Sequence, residues 1–455
     1  MSKRRRLTAA FVLSFLAAAV LADQLPPAPS ELGNIRRNAQ GQLEVIRAPA
    51  ERPSAAAPAP APGPASTAAG VTAGVRESAQ AKTPEKRMAS TTAPGRTIVV
   101  GPLEAVRSIE EAARIARDGD TIEIRPGEYR QQAVVWTQGR LTIRGTGKRP
   151  RLIADGASAE GKALWVVRNG DLLIENLEFR GARVADGNGA GIRFERGHLR
   201  VVRCAFFDNE MGILTGNVAD TVLEVEDSEF GEAPKHAGAL HHLLYAGTIA
   251  RLSVKGSRFQ QGYLGHLIKS RARESRIFYN LLVDGAGGRA SYELEFPNGG
   301  LAWVIGNIIG QSETSDNVDL ISYGAEGKRW PDNALYLAHN TLIDDLPAGN
   351  FLHVWLDRMP PGFEVWAINN LVAGYGRALP KAPGRYAGNQ IVEKSELSDG
   401  DGLPFRLSSH SPLRGKADLP GFVREQNLAP TAEFMLPAGT RPLVVGSPLS
   451  PGALQ

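Results

Sequence analysis

Through the middle of the chain a short motif recurs, in which apolar and polar residues alternate up to a small polar residue. It reads Leu173-Ile174-Glu175-Asn176, Val201-Val202-Arg203-Cys204, Val225-Glu226-Asp227-Ser228 and Val254-Lys255-Gly256-Ser257. It continues as Ile277-Phe278-Tyr279-Asn280, Val304-Ile305-Gly306-Asn307, Leu337-Ala338-His339-Asn340 and Ile368-Asn369-Asn370. The Asn, Ser or Cys returns every 23 to 33 residues, the length of one coil of a β-solenoid. A second apolar strand precedes each motif, as at Gly191–Phe194, Gly212–Thr215, Leu267–Lys269 and Leu320–Tyr323. Leucine-rich and hexapeptide repeats keep stricter periods, and a propeller needs blades of four strands. The pattern predicts an all-β fold, a right-handed parallel β-helix.

Stacked coils bring equivalent positions about 4.8 Å apart. Asn176, Asn280, Asn307, Asn340 and Asn370 can then form amide ladders that satisfy backbone groups at the bends. Ahead of the coils, Ser108-Ile109-Glu110-Glu111 is a capping box opening a helix to about Arg117. A short N-terminal capping helix of this kind can close an open solenoid end against edge pairing.

The flanks read differently. Residues 1–22 carry Lys3, Arg4, Arg5 and Arg6 and then an apolar run from Leu7 to Leu21, the layout of a signal peptide. Residues 23–96 form a Pro/Ala-rich linker, typified by Ala55–Pro62, with too little apolar surface to fold. The β-helix is expected over residues 97–381, and residues 382–455 as an irregular tail packed along it. Removing the four N-terminal cations balances the remaining charges. The neutral remainder argues against nucleic acid as a partner. The expected location is periplasmic or secreted, with no transmembrane segment in the mature chain and a monomeric state. Cys204 is the single cysteine and falls at an interior position, which suits a buried thiol.

Ser108-Ile109-Glu110-Glu111-Ala112, Asp118-Gly119-Asp120-Thr121-Ile122 and Pro126-Gly127-Glu128-Tyr129 together resemble the entry of pectin-lyase-like right-handed β-helix proteins. The repeats resemble the coils of that superfamily from about Thr97 to Ala373. The stretch Phe405-Arg406-Leu407 to Ser411–Ala417 resembles the segment that closes many polysaccharide-active members. The resemblance implies a polysaccharide partner.

Chemistry-bearing residues gather in three consecutive coils: His241-His242-Leu243-Leu244-Tyr245, His266-Leu267-Ile268-Lys269-Ser270-Arg271-Ala272-Arg273, and Tyr292-Glu293-Leu294-Glu295. Their offsets match the local period. With Leu244, Ile268 and Leu294 inward, alternation sends Tyr245, Lys269, Arg271, Glu293 and Glu295 to one outer face. Cleavage or epimerisation of a uronate at C5 needs a cation for the carboxylate, a base and an acid. Lys269 as base, lowered in pKa by the neighbouring arginines, Arg271 or Arg273 as carboxylate clamp, and Tyr245, His242 or His266 as acid satisfy that list. His241, Arg273, Tyr292, Glu293, Glu295 and Tyr323 are the expected substrate contacts. Ile268-Lys269-Ser270 also resembles the Val-Lys-Ser element of alginate and chondroitin lyases, in which that lysine is the base. Those enzymes place Arg-His-Gly one coil later, where this chain has Tyr292-Glu293-Leu294-Glu295.

The leading reading is therefore an exported lyase or C5-epimerase acting on an acidic polysaccharide. Two others stay open. A glycoside hydrolase would use paired carboxylates among Glu293, Glu295 and Asp319. A non-catalytic glycan-binding scaffold would use Trp303, Tyr323 and Trp355 as sugar platforms. A plain ion-pair ladder is the structural alternative for the same charges. His236, His241, His242 and His266 are half of the chain's histidines, yet no His-x-x-x-His spacing supports zinc. Too few oxygens converge for calcium. No cofactor is expected.

Overall fold

A computed structural model describes residues 35–37, 43–45, 95–236, 240–377, 379–380 and 382–455. Within the first 87 residues, Ile35–Arg37 and Leu43–Val45 pair as antiparallel strands inside the span read as a linker. The rest of that linker, apart from residues 95 and 96, and the whole signal segment lie outside the described residues.

From Thr97 the chain winds as a right-handed parallel β-helix, the hand that parallel crossovers adopt. Successive coils build three parallel sheets of 12, 11 and 9 strands. One coil runs from Ala190–Phe194 in the third sheet to His198–Val202 in the first and Ala205–Phe207 in the second. It then returns to the third sheet at Met211–Thr215. Strands of the first and third sheets carry up to six residues, as the short apolar runs require.

The bend between the first and second sheets takes two residues. The first is left-handed in coil after coil: Asn176, Arg203, Asp227, Tyr279, His339 and Asn369 have φ between 48° and 56°. Gly256, Gly306 and Gly388 fill the same place at positive φ. A side chain there costs about 1–2 kcal/mol, so the next residue must hold the corner. It does so through a buried ladder. Ser228 Oγ accepts the Cys204 N–H, and Ser257 Oγ accepts the Ser228 N–H, both at 3.1 Å. Asn307 Oδ1 accepts both the backbone and side-chain N–H of Asn280 at 2.9 Å, and its Nδ2 donates to the Ile277 carbonyl at 2.7 Å. Asn340 and Asn370 repeat this pattern, and Asn389 ends it.

Asn176 departs from expectation. It occupies the left-handed position and donates to the Gly145 carbonyl at 2.9 Å, while Leu177 takes the ladder place.

Inside the coils, the fully buried Phe179, Phe206, Phe230 and Phe259 stack at centroid separations of 5.1, 4.7 and 4.5 Å. Cys204 is buried, and burial pushes its thiol up to about 11. The helix Ile109–Ile115 is capped by Ser108, whose Oγ accepts the Glu111 N–H at 3.1 Å. Its Ile109 and Ala112 enter the core. It ends before Arg117 because Asp120 Oδ2 takes the Arg117 N–H at 2.9 Å.

Gly384–Ala387 and Gln390–Val392 still extend the first and second sheets, so the winding continues past residue 381. Short antiparallel hairpins follow. They cover outer faces of the coils: Val423, Leu428 and Ala432 pack on Tyr279, Trp303 and Tyr336. Trp303 is buried by this contact and unavailable as a sugar platform. No described helix is long and apolar enough to cross a membrane.

The ladder predicts a sharp contrast between two asparagines. Asn307→Ala strands the Asn280 N–H and the Ile277 carbonyl and should cost about 3 kcal/mol. Asn176→Gly keeps the left-handed corner and should cost less than about 1 kcal/mol. Urea denaturation of the two variants checks this, and equal losses would refute it.

Candidate active site

Strand register decides which side chains meet. On the outer face of the third sheet, one row runs Arg193, Leu214, Tyr245, Lys269, Glu295, Ser322 and His353, each paired with the next. Neighbours in such a row are about 4.8 Å apart. Tyr245, Lys269 and Glu295 thus share one wall. Beside them, ahead of the strands, His242, His266 and Tyr292 form a second row, with ring centroids 4.5 and 4.9 Å apart.

Lys269 is the hub of a mostly desolvated ion network. Its Nζ lies 3.3 Å from Glu295 and 3.8 Å from Glu326. Arg271 holds Glu326 with both terminal nitrogens, one contact being Nη2 to Oε1 at 2.6 Å. Its Nε donates to the Tyr245 hydroxyl at 2.8 Å and its Nη1 to Asn298 Oδ1 at 2.6 Å. Both cations stand near the Tyr245 ring, at 5.7 and 5.8 Å from its centroid. The like charges of Lys269 and Arg271 are therefore offset by two carboxylates.

His266 Nε2 lies 2.9 Å from Glu295. Burial alone would push the Glu295 carboxyl up, but hydrogen bonding and charge from His266 and Lys269 outweigh it and hold it at about 2. Burial lowers His266, against the pull of Glu295. The backbone N–H of His266 donates to His242 Nδ1 at 2.9 Å, which fixes a neutral His242 with its proton on Nε2. Burial, then the charges of His266, Lys269 and Arg271, keeps His242 well below the usual histidine range. His242 and Tyr245 line a hollow of about 320 Å³ with Asp186, Asn188, Met211 and Leu214.

Four expected contacts fall elsewhere. Glu293 points inward, in the place held by Leu267 one coil before and Leu320 one coil after. The strand begins only at Leu294, so period-two alternation does not reach back to residue 293. Burial, and then the charge of Asp284, drives its carboxyl well above the ordinary range. Tyr323 is a core residue, stacked on Phe363 at 5.2 Å, with its hydroxyl donating to the Gly300 carbonyl. Arg273 is exposed and makes none of the network's contacts. His241 is buried, with Nδ1 2.9 Å from the Pro234 carbonyl.

Three contributors were not singled out from the sequence. Glu326 and Asn298 follow third-sheet strands in turns without a repeat signature. His353 continues the row beyond Ser322, its Nδ1 2.8 Å from the buried Asp319, and stacks on Trp355 at 4.4 Å. Asp319 also accepts from Asn350 at 2.7 Å. The row of outer positions was the one signal that could have included His353. Among the described residues, the His and carboxylate donors close enough to share a metal ion are Glu210, His236 and His241.

No protein-family model matches the sequence, and no curated protein does. Among solved structures, the crystal structure of pectate lyase Pel9A is similar, with a TM-score of 0.46 and 12% identity over 80% of this chain and 97% of that one.

The Glu295 carboxyl generates a pH prediction. Its pKa in the folded chain, about 2, is below the ordinary 4.5, so its stabilisation is present above pH 4.5 and fades as pH falls toward 2. Glu295→Gln should be less stable than the parent by about 3 kcal/mol at pH 7, with the gap closing between pH 4.5 and pH 2.5. Chemical denaturation across that range tests it, and a gap that persists unchanged would exclude the ionised role.

Proposed function

We propose that this protein is an exported carbohydrate-active enzyme that removes the C5 proton of a uronate in an acidic polysaccharide, as a β-elimination lyase or a C5-epimerase. The observation that carries this reading is the Arg271–Tyr245 contact. The Tyr245 oxygen accepts from Arg271 Nε, and among the described residues no acceptor takes the tyrosine's own proton. A hydroxyl so arranged can give a proton to a substrate oxygen. The adjacent guanidinium also stabilises the phenolate as it forms. Tyr245 therefore carries both transfers of an elimination: as the phenolate beside Arg271 it takes the C5 proton, and as the phenol it gives that proton to the leaving oxygen. Lys269, held in ion pairs, takes the part of a cation that receives the uronate carboxylate together with Arg271.

The remaining side chains support those roles. Glu295 fixes Lys269, and His266 fixes Glu295. A buried ion network is a weak source of stability, because desolvation offsets the Coulomb gain; a site that must bind and move charge accounts for it better. Reading the same face as a hydrolase lacks an acid: Glu295 is held ionised, Glu293 is inside the core, and Asp319 is committed to His353 and Asn350.

A panel of uronate polymers should give either near-ultraviolet absorbance from unsaturated ends or a changed C5 configuration by NMR. Tyr245→Phe should lower kcat by about 10² or more, whereas Lys269→Met should chiefly raise KM. Reducing ends without the chromophore would favour hydrolysis, and full activity in Tyr245→Phe would overturn the assignment.

A further inference from the structure

Glu210, His236 and His241 lie apart from the Lys269 network, and none has a part in the proposed proton transfer. Glu210 precedes the third-sheet strand Met211–Thr215, and the two histidines lie in the loop one coil later, ahead of Leu244–Ala246. One nitrogen or oxygen from each falls within 4.8 Å of the other two.

Two of the three are fixed by their surroundings. Glu210 is 4% exposed, and its Oε2 accepts the N–H groups of Val184 and Gly189 at 3.0 and 2.7 Å. Its Oε1 faces His236 Nε2 at 3.9 Å. His241 is fully buried, with Nδ1 2.9 Å from the Pro234 carbonyl. A carbonyl can only accept, so Nδ1 carries the proton and Nε2 presents a lone pair. That Nε2 is buried and has no partner among the described residues. An orphaned imidazole lone pair in the interior costs about 1–3 kcal/mol, and this ring lies 4.6 Å from that of His236, with one of its nitrogens within 4.8 Å of a Glu210 oxygen. Donation of the other ring N–H to a carbonyl is the arrangement that orients histidines on metals. The nearby guanidinium of Arg183 is held by Asp208 at 2.6 Å.

We propose that Glu210, His236 and His241 form a zinc site of the His₂Glu type, with a fourth position left to water. Zinc takes such donors at about 2.0–2.2 Å in a tetrahedron, so the ligands must close by about 1 Å from their present spacing. His236 supplies the movement: its side chain is 48% exposed, whereas the other two are pinned. The histidines are five apart in sequence and the carboxylate comes from the preceding coil. Zinc-binding motifs confined to one helix have no counterpart in this arrangement.

The test needs no substrate. Tag-free full-length protein, stripped with chelator, is titrated with zinc chloride by calorimetry, and metal content is measured after dialysis. One equivalent should bind with Kd below about 10 μM, and cobalt(II) should give the visible bands of a four-coordinate nitrogen–oxygen site. His236→Ala, at an exposed position, should weaken zinc at least tenfold while the melting temperature of the metal-free protein stays unchanged. Glu210→Gln, which can still accept the two backbone N–H groups, should do the same. Failure of the parent to retain zinc would overturn the site. Zinc binding left unchanged by His236→Ala would do so equally, whether or not Glu210→Gln folds.

Discussion

In-register stacking of parallel coils is the constraint on which everything else in this molecule depends. Each coil has its hydrogen-bond partners in the coils before and after it, and the weakest point is the two-residue corner between the first and second sheets. Side chains are forced into left-handed geometry there, against their intrinsic preference. The serine and asparagine ladder supplies the compensation by tying each corner to the next. Because Asn307 serves both Asn280 and the Ile277 carbonyl, the register is set by specific donors and acceptors as well as by apolar filling. Phenylalanine stacking at 4.5–5.1 Å then follows from the same spacing.

That register converts sequence distance into adjacency. Tyr245, Lys269 and Glu295 come from three coils, yet they stand in one row on a flat outer face. Arg271 and Glu326 close the group from neighbouring turns. The face bears charges of both signs that are mostly desolvated, an environment in which each group fixes the state of the next. His266 and Lys269 keep Glu295 ionised, and the His266 backbone fixes the tautomer of His242. Among the described residues the Tyr245 hydroxyl has a donor and no acceptor. The same coil geometry, on the loops that lead into this sheet, sets a buried carboxylate and a buried imidazole beside an exposed one.

The hydrophobic and polar pattern by itself determined the winding, the inward residues of each strand and the row containing Tyr245 and Lys269. These follow from two local rules, a period of two within strands and a fixed return of the corner residue, and local rules are readable from the chain. Tertiary structure alone decided where those rules stop. Glu293 lies one residue before its strand and turns inward, and Asn176 is shifted by one place out of the ladder, whereas Tyr323, two positions along from the inward Ile321, joins the core as the period of two itself dictates. It also decided partners that come from turns of irregular length: Glu326 for Arg271, Asp319 for His353, Glu210 for the two histidines, and the hairpin that buries Trp303. No repeat encodes those meetings, because loop length and backbone direction outside the strands are fixed only when the coils have stacked.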